Sequence, residues 1–336
     1  MSSTIPTPSE LDGLAQIDPE MGAMFECLPR PPAHYPDPVQ FVHDMRDSFD
    51  LPPSKPDPQV RESKSSYMTR DGTTLSIHIW APSISDKPFP LVVWYHGGGG
   101  CVGSPDMNAR LHRDTVKSLQ CVVAAVQYRL APEYKYPTGV DDSWDALKHI
   151  ASRASDYGAD ALTGFVIGGE SAGSTIAALL ALRARDEKLY PPVTGLFLSA
   201  GSYLDPNDVP QQYRDVYRSR NDPTCMDAPM LGRGMRAVFD ACLKPDYSSP
   251  HFRAAIWTTG HVGLPRTYFQ TCGMDVHRDD SFVYRDILQK SGVETRLDVY
   301  PGSPHCFWFL FRDTAQGRKW KNDNNDAFRW LFAKAS

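Results

Sequence analysis

Two short stretches carry the residue types that covalent chemistry needs. Val92 to Ser104 (VVWYHGGGGCVGS) sets four consecutive glycines, Gly97 to Gly100, behind an apolar run and one histidine. Glycine loses more conformational freedom on folding than any other residue, so the run implies bare backbone that must approach something closely. Val166 to Ser174 (VIGGESAGS) holds a G-x-S-x-G box at Gly169-Glu170-Ser171-Ala172-Gly173, after an apolar run and before a small-residue stretch. A serine between a strand and a helix in such a box is the pattern of a nucleophile elbow, with Ser171 held at a sharp turn.

The glycine run admits three functional readings besides a plain flexible turn. A Walker-type phosphate loop needs a lysine after its last glycine, and Ser104 stands there. A dinucleotide fingerprint needs G-x-G-x-x-G, but Gly97 and Gly99 are followed by Val102, and the next apolar run ends in Arg129 instead of an acid. The third reading is an oxyanion hole, where backbone N–H groups hold the charge that develops on a former carbonyl oxygen. Each such donor is worth roughly 3 to 4 kcal/mol in the transition state. That reading demands a nucleophile, and Ser171 supplies it. The elbow also aims the Ala172 N–H at the same oxyanion, so Gly98, Gly99 and Ala172 are the expected donors.

A serine hydroxyl needs a base, and the base needs an orienting acid. Of the histidines, His251, His261, His277 and His305 follow Ser171. His305 lies in VYPGSPHCFW, between an apolar strand-like run and the C-terminal helical region, where the last member of a Ser, Asp, His order belongs. Asp275, in YFQTCGMDVHRDD, is the first carboxylate beyond another buried strand. Asp279 and Asp280 are the fallback, and read better as the solvated first turn of a helix.

Positioning these groups requires a particular scaffold. From about residue 65, short apolar runs (SIHIWAP, FPLVVWYH, CVVAAVQYR, GFVIGGE, TGLFLSA, RTYFQTC, TRLDVYP) alternate with helical stretches (DDSWDALKHIAS, GSTIAALLALRARDE, SFVYRDILQKSG, NDAFRWLFAKA). Such alternation implies an α/β fold with a mostly parallel central sheet flanked by helices. SIHIWAP alternates as a half-buried strand; the others read as strands covered on both faces. The whole chain, 1–336, reads as one domain. Residues 1–60 hold twelve of the 29 prolines and two short helix-like stretches, PSELDGLAQI and PVQFVHDMRDSF, the second amphipathic, and read as an arm or lid packed on the body. Residues 203–262 interrupt the alternation with one helical stretch, APMLGRGMRAVFDACL, and read as a cap insertion.

Composition narrows the partners. A charge of -5 leaves no basic footprint, so neither nucleic acid nor an anionic membrane surface is expected as a partner. The apolar run Ile176 to Leu182 is too short to span a bilayer. The opening MSSTIPTPSELDGLAQ lacks the pattern of a secretory leader. Seven cysteines without C-x-x-C spacing read as reduced thiols, so a cytoplasmic location is expected, with no metal site. The pattern carries no signal of an oligomeric state.

Taken together, the chain resembles the hormone-sensitive-lipase-like branch of the α/β-hydrolases, which includes many small-ester carboxylesterases. The resemblance runs from about residue 65 to the end. It rests on His96-Gly97-Gly98-Gly99 with Gly103-Ser104, on YRLAPE at 128–133, on the Ser171 box, and on DVHRDD at 275 followed by PHCF at 304. It implies the α/β-hydrolase fold with a helical cap built from the arm and the insertion, and it implies the same oxyanion donors. It implies a Ser171–His305–Asp275 carboxylesterase acting on small to medium, apolar or aromatic esters without a cofactor. A lactonase, a C–C hydrolase of diketones or an acyltransferase would use the same machinery; a ligand receptor of this fold would typically lack the histidine. Departures from the family pattern are Gly100, Glu170, Ser174, Val276-His277 and Cys306, and they bear on substrate choice. YRLAPE shows no readable chemistry and is expected to brace the floor of the site. Aromatics of the arm and insertion, Phe25, Phe41, Tyr203, Tyr213, Tyr217 and Phe239, are expected mostly to pack.

Overall fold

The computed structural model describes residues 5–27, 32–48, 55–84, 88–246, 249 and 252–333. Its frame follows from the apolar runs. Eight strands form one sheet: β1 Val60–Met68, β2 Thr74–Pro82, β3 Leu91–Tyr95, β4 Val122–Val126, β5 Phe165–Glu170, β6 Gly195–Ser199, β7 Arg266–Cys272 and β8 Thr295–Tyr300. Their spatial order is β1-β2-β4-β3-β5-β6-β7-β8. β1 and β2 pair antiparallel, as do β2 and β4, and every later pairing is parallel. This is the α/β-hydrolase architecture.

The described residues also form ten α-helices: α1 Pro8–Leu14, α2 Pro19–Phe25, α3 Pro38–Ser48, α4 Ala109–Leu119, α5 Thr138–Ser152, α6 Ala172–Asp186, α7 Pro223–Met226, α8 Arg233–Leu243, α9 Arg278–Lys290 and α10 Ala315–Phe332. Strand alternation assigns the two faces of the sheet. On one, Leu91, Val93 and Tyr95 of β3 meet Trp144 and Leu147 of α5, Ile176 and Leu180 of α6, and Val283 of α9. On the other, Val92 and Trp94 meet Val116 of α4 and Phe328 and Leu331 of α10. Both faces are dry, which is why the central strands read as unbroken apolar runs.

Two strand expectations are corrected, and one strand was not foreseen. β1 (VRESKSSYM) is too polar to be legible as a strand; it is an edge that pairs with β2 alone. β2 is not half-buried: Ile77 to Pro82 are buried on both faces, because α4 covers the side carrying His78 and Trp80. β8 is not central but the far edge of the sheet, and most of it is partly exposed.

The two irregular segments meet each other. α3 places Val42, beside Phe41 and Met45, against Val238, Cys242 and Phe239 of α8, with Cys101, Val102 and Ala131 beneath. Of the flagged aromatics, Phe25 packs edge-on against Phe311 and Phe41 against Tyr35. The Tyr213 and Tyr217 hydroxyls donate to Asp286 and Asp280, and Tyr203 packs on Tyr284. Phe239 alone of the six lines the central pocket.

Candidate active site

β5 ends at Glu170 and α6 begins at Ala172, leaving Ser171 as the single residue of the turn. Its φ of 53° and ψ of -123° are a conformation that L residues rarely adopt, and such backbone costs about 1–3 kcal/mol unless the surroundings hold it. Here the Ser171 N–H donates to the Ser199 carbonyl of β6 at 2.8 Å. A Cβ on Gly173 would collide with the Tyr95 carbonyl, so only glycine lets α6 pass this close to β3.

The structure brings the three expected side chains into one chain of hydrogen bonds. Ser171 Oγ lies 2.8 Å from His305 Nε2, and His305 Nδ1 lies 2.7 Å from Asp275 Oδ2. A carboxylate can only accept, so Nδ1 carries the proton and Nε2 presents a lone pair to the serine hydroxyl. Asp275 is 1% exposed and its other oxygen accepts the His277 N–H at 2.9 Å. Asp275 follows β7 and His305 follows β8, so each arrives from the carboxyl end of a strand, the edge where open α/β sheets gather their sites.

The glycine run forms a tight loop beside the elbow. The Gly98 carbonyl accepts from both Cys101 N and Val102 N, at 2.9 and 3.0 Å. Gly98 has φ +109°, and a Cβ there would strike the Val102 carbonyl, so no other residue closes this turn. Among the described residues, the N–H groups of Gly98, Gly99 and Ala172 have no protein acceptor. Gly99, Ala172 and Ser171 line the same pocket.

YRLAPE is explained by what it holds. The Tyr128 hydroxyl donates to the His96 carbonyl at 2.7 Å and its ring stacks on His96 at 4.3 Å. The Ala131 N–H donates to the Gly100 carbonyl at 2.8 Å. Glu133 pairs with Arg46 of α3 at 2.9 Å, and Arg46 also donates to the carbonyls of Cys101 and Ala131. The motif thus pins the glycine loop from below and the arm from outside. Burial brings the His96 pKa down to about 4, so it stands neutral as a brace.

Sequence reasoning missed the role of Glu170. Its carboxylate accepts from Gly97 N at 3.0 Å, Asn108 Nδ2 at 2.6 Å and Trp94 Nε1 at 2.9 Å. Burial nevertheless pushes its pKa up to about 7. The available signal was an acid inside the elbow box, a position with no solvent to reach.

The fallback acids are corrected too. Asp279 and Asp280 are not solvated, at 1% and 0% exposure. Asp280 pairs with Arg220 and accepts from the backbone of Tyr203 and Leu204. Asp279 accepts from the backbone of Arg218 and Ser219. They tie the 203–220 segment to the body. His261 is engaged with the Ala254 carbonyl, and His251 lies outside the described residues. All seven cysteines are free. Cys101 and Cys306 are buried and burial raises both thiols, as expected of packing residues.

The pocket over Ser171 runs along α6. Ser171, Thr175, Ile176 and Leu179 form its floor, facing Val140 of α5 and Leu204. Eight residues separate Ser171 from Leu179, about 12 Å of helix. Gly100, Phe239 and Leu243 close it on the α8 side, and Arg220, Arg236 and His277 bring polar groups. No helix among the described residues is long and apolar enough to cross a membrane.

Comparison with known proteins agrees with this fold. A family model described as the alpha/beta hydrolase fold matches residues 92–309. An AB hydrolase superfamily protein of Schizosaccharomyces pombe is 35% identical, over 79% of this chain and 78% of its own. Versiconal hemiacetal acetate esterase of Dothistroma septosporum is 32% identical, over 66% of this chain and 68% of its own. Among solved structures, vibralactone cyclase superposes with a TM-score of 0.86 at 29% identity, covering 99% of both chains.

Proposed function

The chain belongs to the α/β-hydrolase family, in its hormone-sensitive-lipase-like carboxylesterase branch, and from that premise we propose that it is a serine carboxylesterase acting on small to medium, largely apolar esters. The observation that carries the reading is the Ser171–His305–Asp275 relay at 2.8 and 2.7 Å, set beside backbone N–H groups that have no protein acceptor among the described residues.

In this mechanism Ser171 Oγ attacks the ester carbonyl carbon while His305 Nε2 takes its proton. Asp275 holds the imidazole in the required tautomer and balances the imidazolium charge. The carbonyl oxygen, now negative, settles against the N–H groups of Gly98, Gly99 and Ala172. Collapse breaks the bond to the alcohol oxygen, which leaves with the proton from His305. Water enters and gives a proton to His305 Nε2 as its oxygen attacks the acyl-enzyme carbonyl; collapse then breaks the bond to Ser171 Oγ, which takes that proton back from His305 as the acid leaves. α3 and α8 form the cap that limits which esters reach Ser171, and no cofactor takes part.

The likeness to a cyclase favours one second reading: the same acyl-enzyme resolved by a hydroxyl instead of water, which yields a lactone or a new ester. The test is turnover of a p-nitrophenyl ester series, acetate to palmitate, by the protein beside its Ser171→Ala variant. Hydrolysis of the shorter esters, lost in the variant, supports the esterase. Labelling of Ser171 by an organophosphate without any hydrolysis moves the assignment to acyl transfer. Neither turnover nor labelling would sink both readings.

A further inference from the structure

His277 sits at the pocket edge beside His305, and the mechanism above makes no use of it. It follows Asp275 by two residues, and its ring lies against that of His305 with centroids 5.5 Å apart and planes at 87°. It lines the pocket together with Ser171 and Phe239. Its Nδ1 lies 3.4 Å from the Ala200 carbonyl. A carbonyl only accepts, so Nδ1 carries the proton and Nε2 carries the lone pair. Among the described residues Nε2 has no protein partner, yet it is not sealed away as a buried orphan. It therefore opens on the pocket.

The charge state is held as firmly as the tautomer. Burial and the nearby positive charges of Arg220 and Arg236, with His305 alongside, keep His277 far below its ordinary pKa. A neutral imidazole presenting only a lone pair can accept a hydrogen bond and cannot donate one. It welcomes a hydroxyl and repels a carboxylate. Arg220, one of the cations acting on it, is already engaged by Asp280 and Ser202.

The side of the scissile bond follows from the chemistry. The departing alcohol oxygen must take its proton from His305 Nε2, so the alcohol portion of the ester lies on the His305 side of Ser171. His277 packs against His305 and is reached from that portion.

We propose that His277 Nε2 accepts a hydrogen bond from a hydroxyl on the alcohol portion of the substrate, so that the preferred substrates are monoesters of short diols or polyols. This rests on the serine-esterase reading and names the substrate class of that same site.

The experiment compares two esters of equal size, 2-hydroxyethyl butanoate and propyl butanoate, by kcat/KM in the wild type, His277→Leu and His277→Gln. One hydrogen bond formed in a partly dry site is expected to favour the hydroxyl ester about tenfold in the wild type. The ratio should fall to near one in His277→Leu and be at least partly retained in His277→Gln, whose amide oxygen can still accept. A wild-type ratio of one or below overturns the proposal whether or not either variant folds, and leaves the esterase reading intact. A ratio that survives in His277→Leu overturns it equally. If neither ester nor any p-nitrophenyl ester is cleaved, the esterase reading fails and this inference fails with it.

Discussion

Glu170 and Gly97 are joined by a 3.0 Å hydrogen bond across 73 residues of sequence, the carboxylate accepting from the first amide of the glycine loop. One side chain thereby sets the distance between the proposed nucleophile's turn and two of the proposed oxyanion donors. Glu170→Ala would leave Gly97 N, Asn108 Nδ2 and Trp94 Nε1 facing a void, at roughly 1–3 kcal/mol for each unsatisfied group. The expected outcome is a kcat lowered about ten- to a hundredfold with KM little changed, because the loop that meets the transition state is displaced. Steady-state kinetics on p-nitrophenyl butyrate check this. An unchanged kcat would show that the loop holds its place without Glu170.

The same residue makes stability depend on pH. Its pKa rises from 4.5 to about 7 on folding, so the folded state binds the proton more tightly than the unfolded chain. The resulting penalty is absent below pH 4.5 and complete above about pH 7, where it reaches about 3 kcal/mol. Urea unfolding of the wild type and Glu170→Gln should therefore show the wild type losing ground to the variant as pH rises from 4.5 to 8. A difference that is flat, or of opposite slope, refutes the assignment.

Asp275→Asn preserves shape but lets the amide donate to His305 Nδ1, which turns the imidazole to the wrong tautomer. The expected loss is about 10⁴ in kcat, with the fold intact by circular dichroism. Retention of more than a tenth of wild-type activity would remove Asp275 from the relay.

The apolar floor of the pocket sets chain length. Ser171 to Leu179 spans about 12 Å of α6, room for an acyl chain of roughly eight carbons. Leu179→Trp should cut octanoate hydrolysis at least about tenfold relative to acetate by filling the far end, with little effect on acetate itself. Equal losses on both esters would place the acyl chain elsewhere.

Arg46 fastens the arm to the loop through Cys101, Ala131 and Glu133. The ion pair is half-exposed and contributes little, whereas the two carbonyls lose a charged donor. Arg46→Ala should lower stability by about 1–3 kcal/mol and speed proteolytic cleavage within residues 1–60. Unaltered cleavage there would argue that apolar packing of α3 on α8 suffices.

What the sequence determined by itself were the local features. The central parallel strands were legible because both faces are dry and the pattern is uniformly apolar, and the elbow because a strand, a strained serine and a helix are contiguous. Ser171, Asp275 and His305 could be named in advance because chain order and strand ends constrain them, and the tertiary structure then set them within hydrogen-bonding distance. The polar edge strand β1 was invisible, since its stability comes from pairing with β2. Asp279 and Asp280 read as solvated because only the folded chain brings Arg220, Arg218 and Ser219 to them. Glu170 and Arg46 gained roles only in three dimensions: each acts on a group that the chain reaches by folding back, and no local pattern encodes that contact.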